Sequence, residues 1–206
     1  MSIWCMPRKN SFHHGDLKRV LLDVALKLLD RDGIEGVTIR AVAREAGVSH
    51  GAPVNHYRDR GALLTALARQ QFETILKSVH EDLSIAPERS DAWVDVFAKA
   101  LLDFGFRYPH RYKLLWRGDL IDLQDPELLK AMDQIYDQLC DEIERTVPET
   151  KFDRDTVAIA LWSMVHGYLD MRLSGMFVPL SDKVSGKPRD HALRDLFKML
   201  VPRSKP

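Results

Sequence analysis

The sequence predicts an all-α chain of about nine helices, on three observations. Apolar residues recur at three- and four-residue spacing, as in Leu17, Val20, Leu21, Val24, Leu28 and Leu29. No segment carries a strand or hairpin signal. Cap-forming residues open the periodic stretches, and glycine or proline closes them.

In chain order, the first helix spans about residues 16–32 and is ended by Gly33. Thr38 is placed to cap a short helix over 39–46 that buries Ile39, Val42 and Ala43, with Gly47 at its exit. Asp59 caps a long helix to about Leu83, carrying Leu63, Leu64, Leu67, Phe72, Ile75, Leu76 and Val79. Ser84-Ile85-Ala86-Pro87 breaks the pattern. Ser90 then caps a helix presenting Trp93, Val94, Phe97, Leu101 and Phe104, which stops before Pro109. A short helix follows around 110–117. Asp125-Pro126 is a cap with proline at the first helical position, opening a helix with Leu128, Leu129, Met132, Ile135, Tyr136, Leu139 and Ile143. Asp153 opens the next, to about Met176. A loop over 178–187 with Pro179 and Gly186 leads to a last helix over 188–200, and the tail from Pro202 should fray.

A chain of 206 residues with 45% apolar and 29% charged residues is globular and can bury a sizeable core. No apolar run is long enough to span a membrane, and the start MSIWCMPRKNS is too short in apolar residues for a signal peptide, so a cytoplasmic location is expected. Cys5 and Cys140 have no metal or redox spacing and are expected to be free thiols. Net charge is zero, yet residues 1–60 hold ten Lys and Arg against seven Asp and Glu, with four of the eight histidines. Residues 119–144 hold nine acidic residues against Lys130 alone. A polyanionic partner would therefore meet the N-terminal part. No HExxH, GxSxG, P-loop or GxGxxG pattern is present, and His13-His14-Gly15-Asp16 reads as helix-capping or solvated rather than metal-binding, so no metal and no cofactor are expected.

Gly47-Val48-Ser49-His50-Gly51-Ala52-Pro53-Val54-Asn55-His56-Tyr57 carries two glycines and a proline between amphipathic stretches. Two short helices joined by about three residues at Gly47-Val48-Ser49 have the layout of a helix-turn-helix. In that layout Val48 plugs the core, Ser49 caps the recognition helix, and Gly51 lets backbone N–H groups approach a phosphate. Pro53 falls where regular helical bonding would begin, so the first turn should be irregular or 3₁₀-like.

The stretch TIRAVAREAGVSHGAPVNHYRDRGALLTAL resembles the N-terminal domain of TetR-family transcriptional regulators. FHHGDLKRVLLDVALKLL matches the first helix of one branch of that family, and ALWSMVHGYLDM resembles that branch's Trp…His-Gly segment in the C-terminal ligand-binding region. The resemblance covers most of residues 12–178. It implies a DNA-binding domain over 12–60 and a ligand-binding and dimerisation domain over 61–202. It implies that Thr38 and Ser49 bond phosphates, that His50, Gly51, Ala52, Val54 and Asn55 face the groove, that His56 and Arg60 hold the DNA backbone, and that Tyr57 packs inward. Asn55 is suited to an adenine edge. Val54 and Gly61 depart from the family's usual tyrosine and acidic residue, which shifts weight to Arg40, Arg44, Arg58 and the Arg8-Lys9 pair.

Phe97, Leu101, Phe104, Tyr108, Tyr112, Leu115, Trp116, Met132, Tyr136, Trp162 and Met164 form an apolar and aromatic set over four helices. Taken singly each reads as core; as a set, the resemblance implies a cavity for a small, largely apolar effector. Arg107, Arg111, Lys113 and Arg117 read as a solvated basic face. Trp162, His166 and Asp170 share one helical face, where His166 is either a polar contact in that cavity or a satisfied core histidine. A homodimer on palindromic DNA is expected, since one helix-turn-helix has a small footprint. The resemblance implies that the last two helices form it, through Val157, Leu161, Val165, Tyr168, Leu169 and Leu173 with Leu193, Leu196, Phe197 and Leu200; the alternative is that these residues pack on their own domain. The expected function is ligand-responsive repression of transcription; the rivals are an effector-independent DNA-binding dimer and a helical enzyme using His166 and Asp170.

Overall fold

Side-chain carboxylates and one hydroxyl set where the helices begin in the computed structural model, which describes residues 14–86, 92–146 and 153–176. Thr38 opens α2 (Ile39–Glu45), its Oγ1 accepting from the Ala41 N–H at 3.1 Å. Asp59 opens α3 (Arg60–Ser84) by accepting from the Ala62 N–H at 2.8 Å. Asp125 does the same for α6 (Pro126–Thr146) through the Leu128 N–H at 2.9 Å, with Pro126 at the first helical position. Asp153 opens α7 (Arg154–Leu173) with both oxygens, one on the Thr156 N–H at 2.8 Å and one on the Thr156 hydroxyl at 2.7 Å. Each such cap stabilises its helix by about 1 kcal/mol. The remaining helices are α1 (His14–Gly36), α4 (Ala92–Arg107) and α5 (Pro109–Leu115).

Seven α-helices are therefore present among the described residues, against the nine or so expected. The recognition segment accounts for one of the two: it contains a three-residue 3₁₀ turn, Pro53–Asn55, flanked by hydrogen-bonded turns, and no α-helix. Pro53 has no N–H to continue a helical ladder, so the chain closes shorter loops on either side of it. The other, the helix expected over 188–200 with Leu193, Leu196, Phe197 and Leu200, lies outside the described residues. So do Cys5, Arg8, Lys9, His13, Pro87, Ser90, the 178–187 loop and the tail, and the side chains of His14, Asp16 and Val94. A smaller correction concerns α1: the helix leaves regular geometry at Gly33 (φ 73°, ψ −174°) as expected, but its first turn lies two residues earlier and a further turn follows the break, to Gly36.

The chain divides into two compact units, Met1–Leu67 and Ala68–Pro206, with the division inside α3. In the first, α1 packs on α2 and α2 on the 3₁₀ turn, over a core that includes Leu21, Leu28, Leu29, Val37, Val42, Leu63 and Leu67. In the second, α4 packs on α5 and α7, and α6 on α7, around Trp93, Leu114, Leu128, Ile135 and Ile143. The α4–α7 contact is set by Gly105, where an added Cβ would lie 2.2 Å from Leu169 Cδ2 and 3.0 Å from Leu169 Cγ. Leu169 is itself fully buried.

This contact also revises the expected dimer face. Val157, Leu161, Val165 and Leu169 are buried within their own unit, because their four-residue spacing puts them on the side of α7 that meets the rest of that unit. Ile159, at 58% exposure, is the large apolar side chain on α7 that stays open.

Two glycine substitutions test this packing. Gly105→Ala should lower stability in denaturant unfolding by about 1–3 kcal/mol, since a buried leucine must shift to admit one methyl. Gly47→Ala, at φ 68°, should cost roughly 1–2 kcal/mol for a left-handed residue with a Cβ. Wild-type stability in either variant would contradict the geometry described.

Candidate nucleic-acid interface and effector cavity

The turn between α2 and the 3₁₀ segment is a Schellman closure. With Gly47 left-handed, its N–H donates to the Arg44 carbonyl at 3.2 Å and the Val48 N–H donates to the Ala43 carbonyl at 3.0 Å. Val48 is half-buried at this corner. Ser49 contributes its backbone carbonyl, which accepts from the Ala52 N–H at 3.0 Å; the expected hydroxyl cap is not what closes this turn. Pro53 is buried, and its carbonyl accepts from both the His56 N–H at 3.0 Å and the Tyr57 N–H at 2.9 Å.

Two side chains fasten this segment to the helices behind it. Tyr57 is 5% exposed and its hydroxyl donates to the Lys18 carbonyl at 3.2 Å, with the Lys18 ammonium 5.9 Å from the ring centroid. Arg60 reaches the α1–α2 corner: Nε donates to the Val37 carbonyl at 2.7 Å, and Nη2 to the Ile34 carbonyl at 2.7 Å and the Glu35 carboxylate at 3.3 Å. Charge-assisted bonds of this kind are worth about 1.5–3 kcal/mol. The guanidinium named in advance as a DNA-backbone contact is thus spent within the fold.

What stays open is Thr38, Arg40, Arg44, Ser49, His50, Gly51, Val54 at 49% exposure, and Asn55, with Ala52 and His56 half-buried. Nothing lies within 4 Å of the place a Gly51 Cβ would take.

In the second unit, α4, α6 and α7 form a partly open cavity of about 20 Å³ lined by Trp93, Phe97, Ala98, Leu101, Leu139, Leu161, Trp162 and Val165. Phe97, Leu101 and Trp162 were named from the sequence. Trp93 and Leu139 were read only as core, and Ala98, Leu161 and Val165 were not connected with a cavity. The signal was present: Trp93, Phe97 and Leu101 repeat every four residues, as do Leu161 and Val165.

Beside this cavity stands a four-ring cluster. The His166 ring stacks on Tyr112 (5.8 Å, 18°) and meets Trp116 at 4.1 Å and Trp162 at 4.8 Å. Its Nδ1 is 2.9 Å from the Tyr112 hydroxyl. Its Nε2 is buried and has no hydrogen-bond partner among the described residues. Burial drives the imidazole pKa down to about 4, so the ring is neutral at pH 7, and burial followed by the Asp170 carboxylate drives the Tyr112 phenol well above its ordinary value.

The other residues expected around an effector fall elsewhere. Phe104 packs on Tyr108 at 5.8 Å, and the Arg111 guanidinium lies 4.0 Å over the Tyr108 ring. Tyr136 donates to Asp155 at 3.3 Å beside the buried, free Cys140, whose thiol is pushed up by burial; burial likewise raises the Tyr136 phenol to about 12. Met132 is half-buried on α6.

A Thr-capped helix, a Schellman turn and an open 3₁₀ segment held by Tyr57 define a helix-turn-helix module. Residues 21–67 match the family model described as bacterial regulatory proteins, tetR family, and residues 94–196 the one described as tetracyclin repressor-like, C-terminal domain. The chain belongs to the TetR family of transcriptional regulators, and is not an enzyme.

Over 94 residues it is 32% identical to the HTH-type transcriptional repressor Rv1474c of Mycobacterium tuberculosis, covering 42% of this chain and 50% of that one. It is 22% identical over 158 residues to the HTH-type transcriptional regulator YobS of Bacillus subtilis, covering 75% and 78%. The chain thus spans about half the length of the mycobacterial relative. A protein of unknown function from Rhodococcus sp. RHA1 superposes with a TM-score of 0.77 at 27% identity, over 93% of this chain and 97% of that one. AibR, solved with isovaleryl coenzyme A and operator DNA, shares the fold alone, with a TM-score of 0.62 at 15% identity over 91% and 99%. No described helix is long and apolar enough to cross a membrane.

The His166 environment gives a pH dependence of known sign. Its folded pKa lies below the unfolded value near 6.5, so the unfolded chain binds the extra proton first. The contribution is fully present above about pH 6.5 and is lost as pH falls toward 4, by up to ~3 kcal/mol. Unfolding free energies measured from pH 7 to 4.5 should fall more steeply in the wild type than in His166→Phe; equal slopes would show that His166 is not desolvated.

Proposed function

We propose that this protein is a cytoplasmic homodimer that binds palindromic operator DNA through its first unit, represses transcription, and is released by a small, largely apolar effector held in its second unit. The observation that carries the DNA-binding half is the open surface at Gly51. Pro53, Tyr57 and Arg60 are committed inward and the Gly47 turn is closed by two backbone hydrogen bonds, while His50, Gly51, Val54 and Asn55 face solvent. A surface left open by neighbours so firmly fixed is suited to meet a rigid duplex.

Within this reading Gly51 admits a phosphate to the backbone N–H groups, Thr38, Ser49 and His56 bond flanking phosphates, and Arg40 adds charge. Asn55 reads a base edge, with His50, Ala52 and Val54 beside it. Tyr57 and Arg60 position the segment and touch no DNA. Repression is supported by the mycobacterial relative, named as a transcriptional repressor. Effector control is supported by AibR, solved with a ligand and operator DNA, and by the multidrug binding protein EbrR, solved with imidazole. The dimer forms through the side of α7 that its own unit leaves open, where Ile159 lies, together with the 188–200 segment. Residues 60–67 of α3 belong to the first unit and residues 68–84 to the second, so effector binding has a continuous helix through which to alter the spacing of the paired recognition segments.

Gly51→Ala separates this reading from a merely structural one. The added methyl meets open space, so unfolding should stay within about 0.5 kcal/mol of wild type, while operator affinity measured by fluorescence anisotropy should drop by roughly tenfold or more. Asn55→Ala should relax preference at one base pair by about 1–3 kcal/mol. Undiminished affinity in the first variant and undiminished preference in the second would remove this surface from the DNA interface.

A further inference from the structure

We propose that the effector is an uncharged, mainly apolar molecule bearing one hydrogen-bond acceptor, and that His166 Nε2 donates to that acceptor. The inference rests on the effector-binding reading above and specifies its chemistry. The central observation is the buried Nε2, which has no hydrogen-bond partner among the described residues. An unsatisfied polar atom in a folded interior is unfavourable and rare, and it marks a place where a partner is due.

The direction of that bond follows from the other ring nitrogen. Tyr112 Oη and His166 Nδ1 are 2.9 Å apart. A phenol is a strong donor and a weak acceptor, whereas an imidazole lone pair is a strong acceptor, so the Tyr112 hydroxyl donates to Nδ1. The neutral ring then carries its proton on Nε2. The ring that carries this N–H is packed among aromatic rings, with the Trp116 centroid 4.1 Å from its own at an interplanar angle of 61°. A ring face is a feeble acceptor, and a ketone, ether or hydroxyl oxygen outcompetes it.

The apolar body of the ligand belongs in the adjoining cavity. Trp162 lines that cavity and also packs on the His166 ring at 4.8 Å, so one indole separates the cavity from Nε2. At about 20 Å³ the cavity has room for about one water molecule, so a larger occupant must displace a wall. Of the two indoles in the wall, Trp93 is 2% exposed and Trp162 is half-buried, so Trp162 is the one with room to give way. Among the described residues no ionised side chain lines the cavity, so a charged guest would be desolvated without compensation. The Asp170 carboxylate acts on Tyr112 and repels an anion, while an ammonium would bring N–H against N–H.

The test compares four probes of similar size, acetophenone, cumene, benzoate and benzylammonium, by tryptophan fluorescence on the full chain. Acetophenone and cumene differ by a carbonyl oxygen against a methyl. Wild type should take acetophenone most tightly and both ions at least ~10-fold more weakly, and His166→Phe should lose roughly tenfold for acetophenone and nothing for cumene. An acetophenone-to-cumene ratio unchanged by His166→Phe, tighter binding of either ion, or no saturation by any probe would overturn the proposal. Should the variant fold poorly, ¹⁵N spectra of histidine-labelled wild type decide instead: the Nε2–H tautomer, perturbed by acetophenone and not by cumene, supports it, and the Nδ1–H tautomer contradicts it. Failure here with intact operator binding removes only the ligand chemistry; absence of any operator removes the regulatory reading itself.

Discussion

The first unit is organised by one cation. Arg60, at the start of α3, donates to two carbonyls at the α1–α2 corner, those of Ile34 and Val37, and so ties three helices at a single point. These carbonyls sit where α1 has broken at Gly33 and α2 has not yet begun; that of Ile34 also accepts from the Val37 N–H at 3.2 Å, and the guanidinium adds a second bond to it. A guanidinium is suited to the task because its planar fork bonds two acceptors at once and stays charged at any relevant pH. With that corner fixed, Tyr57 has a defined place to bury its ring and bond Lys18, and the 3₁₀ turn at Pro53 is held from both sides. Removing the guanidinium would take the Arg60 bond from the buried Val37 carbonyl, leave the Ile34 carbonyl with the Val37 N–H alone, and loosen the segment that carries the open surface.

The second unit depends on closeness instead of charge. Gly105 brings α4 against Leu169 of α7, and a short distance along both helices the larger side chains Trp93, Phe97, Leu161 and Trp162 fail to fill the space between them. A small cavity results, walled by one buried indole, Trp93, and one half-buried indole, Trp162. Neighbouring His166 is kept neutral by burial, and its Nε2 has no hydrogen-bond partner among the described residues. Packing and site therefore share a cause: the tight α4–α7 crossing creates both the void and the dry environment that makes a single polar atom informative.

Much of this was legible in the chain itself. Helix starts at Thr38, Asp59, Asp125 and Asp153 are local chemistry, fixed by a side chain and an amide three residues on. Gly47 and Pro53 announced a turn and an irregular segment, though the segment proved to be a 3₁₀ turn without any α-helix, because proline there forbids the ladder outright. The role of Arg60 was not legible. Its partners are backbone carbonyls 23 and 26 residues away, and a carbonyl has no sequence signature. The cavity was half legible: aromatic spacing on α4 pointed to a common face, but which residues leave a gap depends on how three helices cross. For the same reason the apolar stripe on α7 was assigned to a dimer although most of it packs at home.

Selection of bound sequences from a random DNA pool with the purified protein tests the central claim most directly, that an open surface held by Tyr57 and Arg60 is a paired DNA reader. The expected result is an inverted repeat whose half-site centres lie one helical turn of DNA apart or a multiple of it, about 34–36 Å per turn. Recovery of no enriched sequence, or of a single site lacking two-fold symmetry, would contradict it.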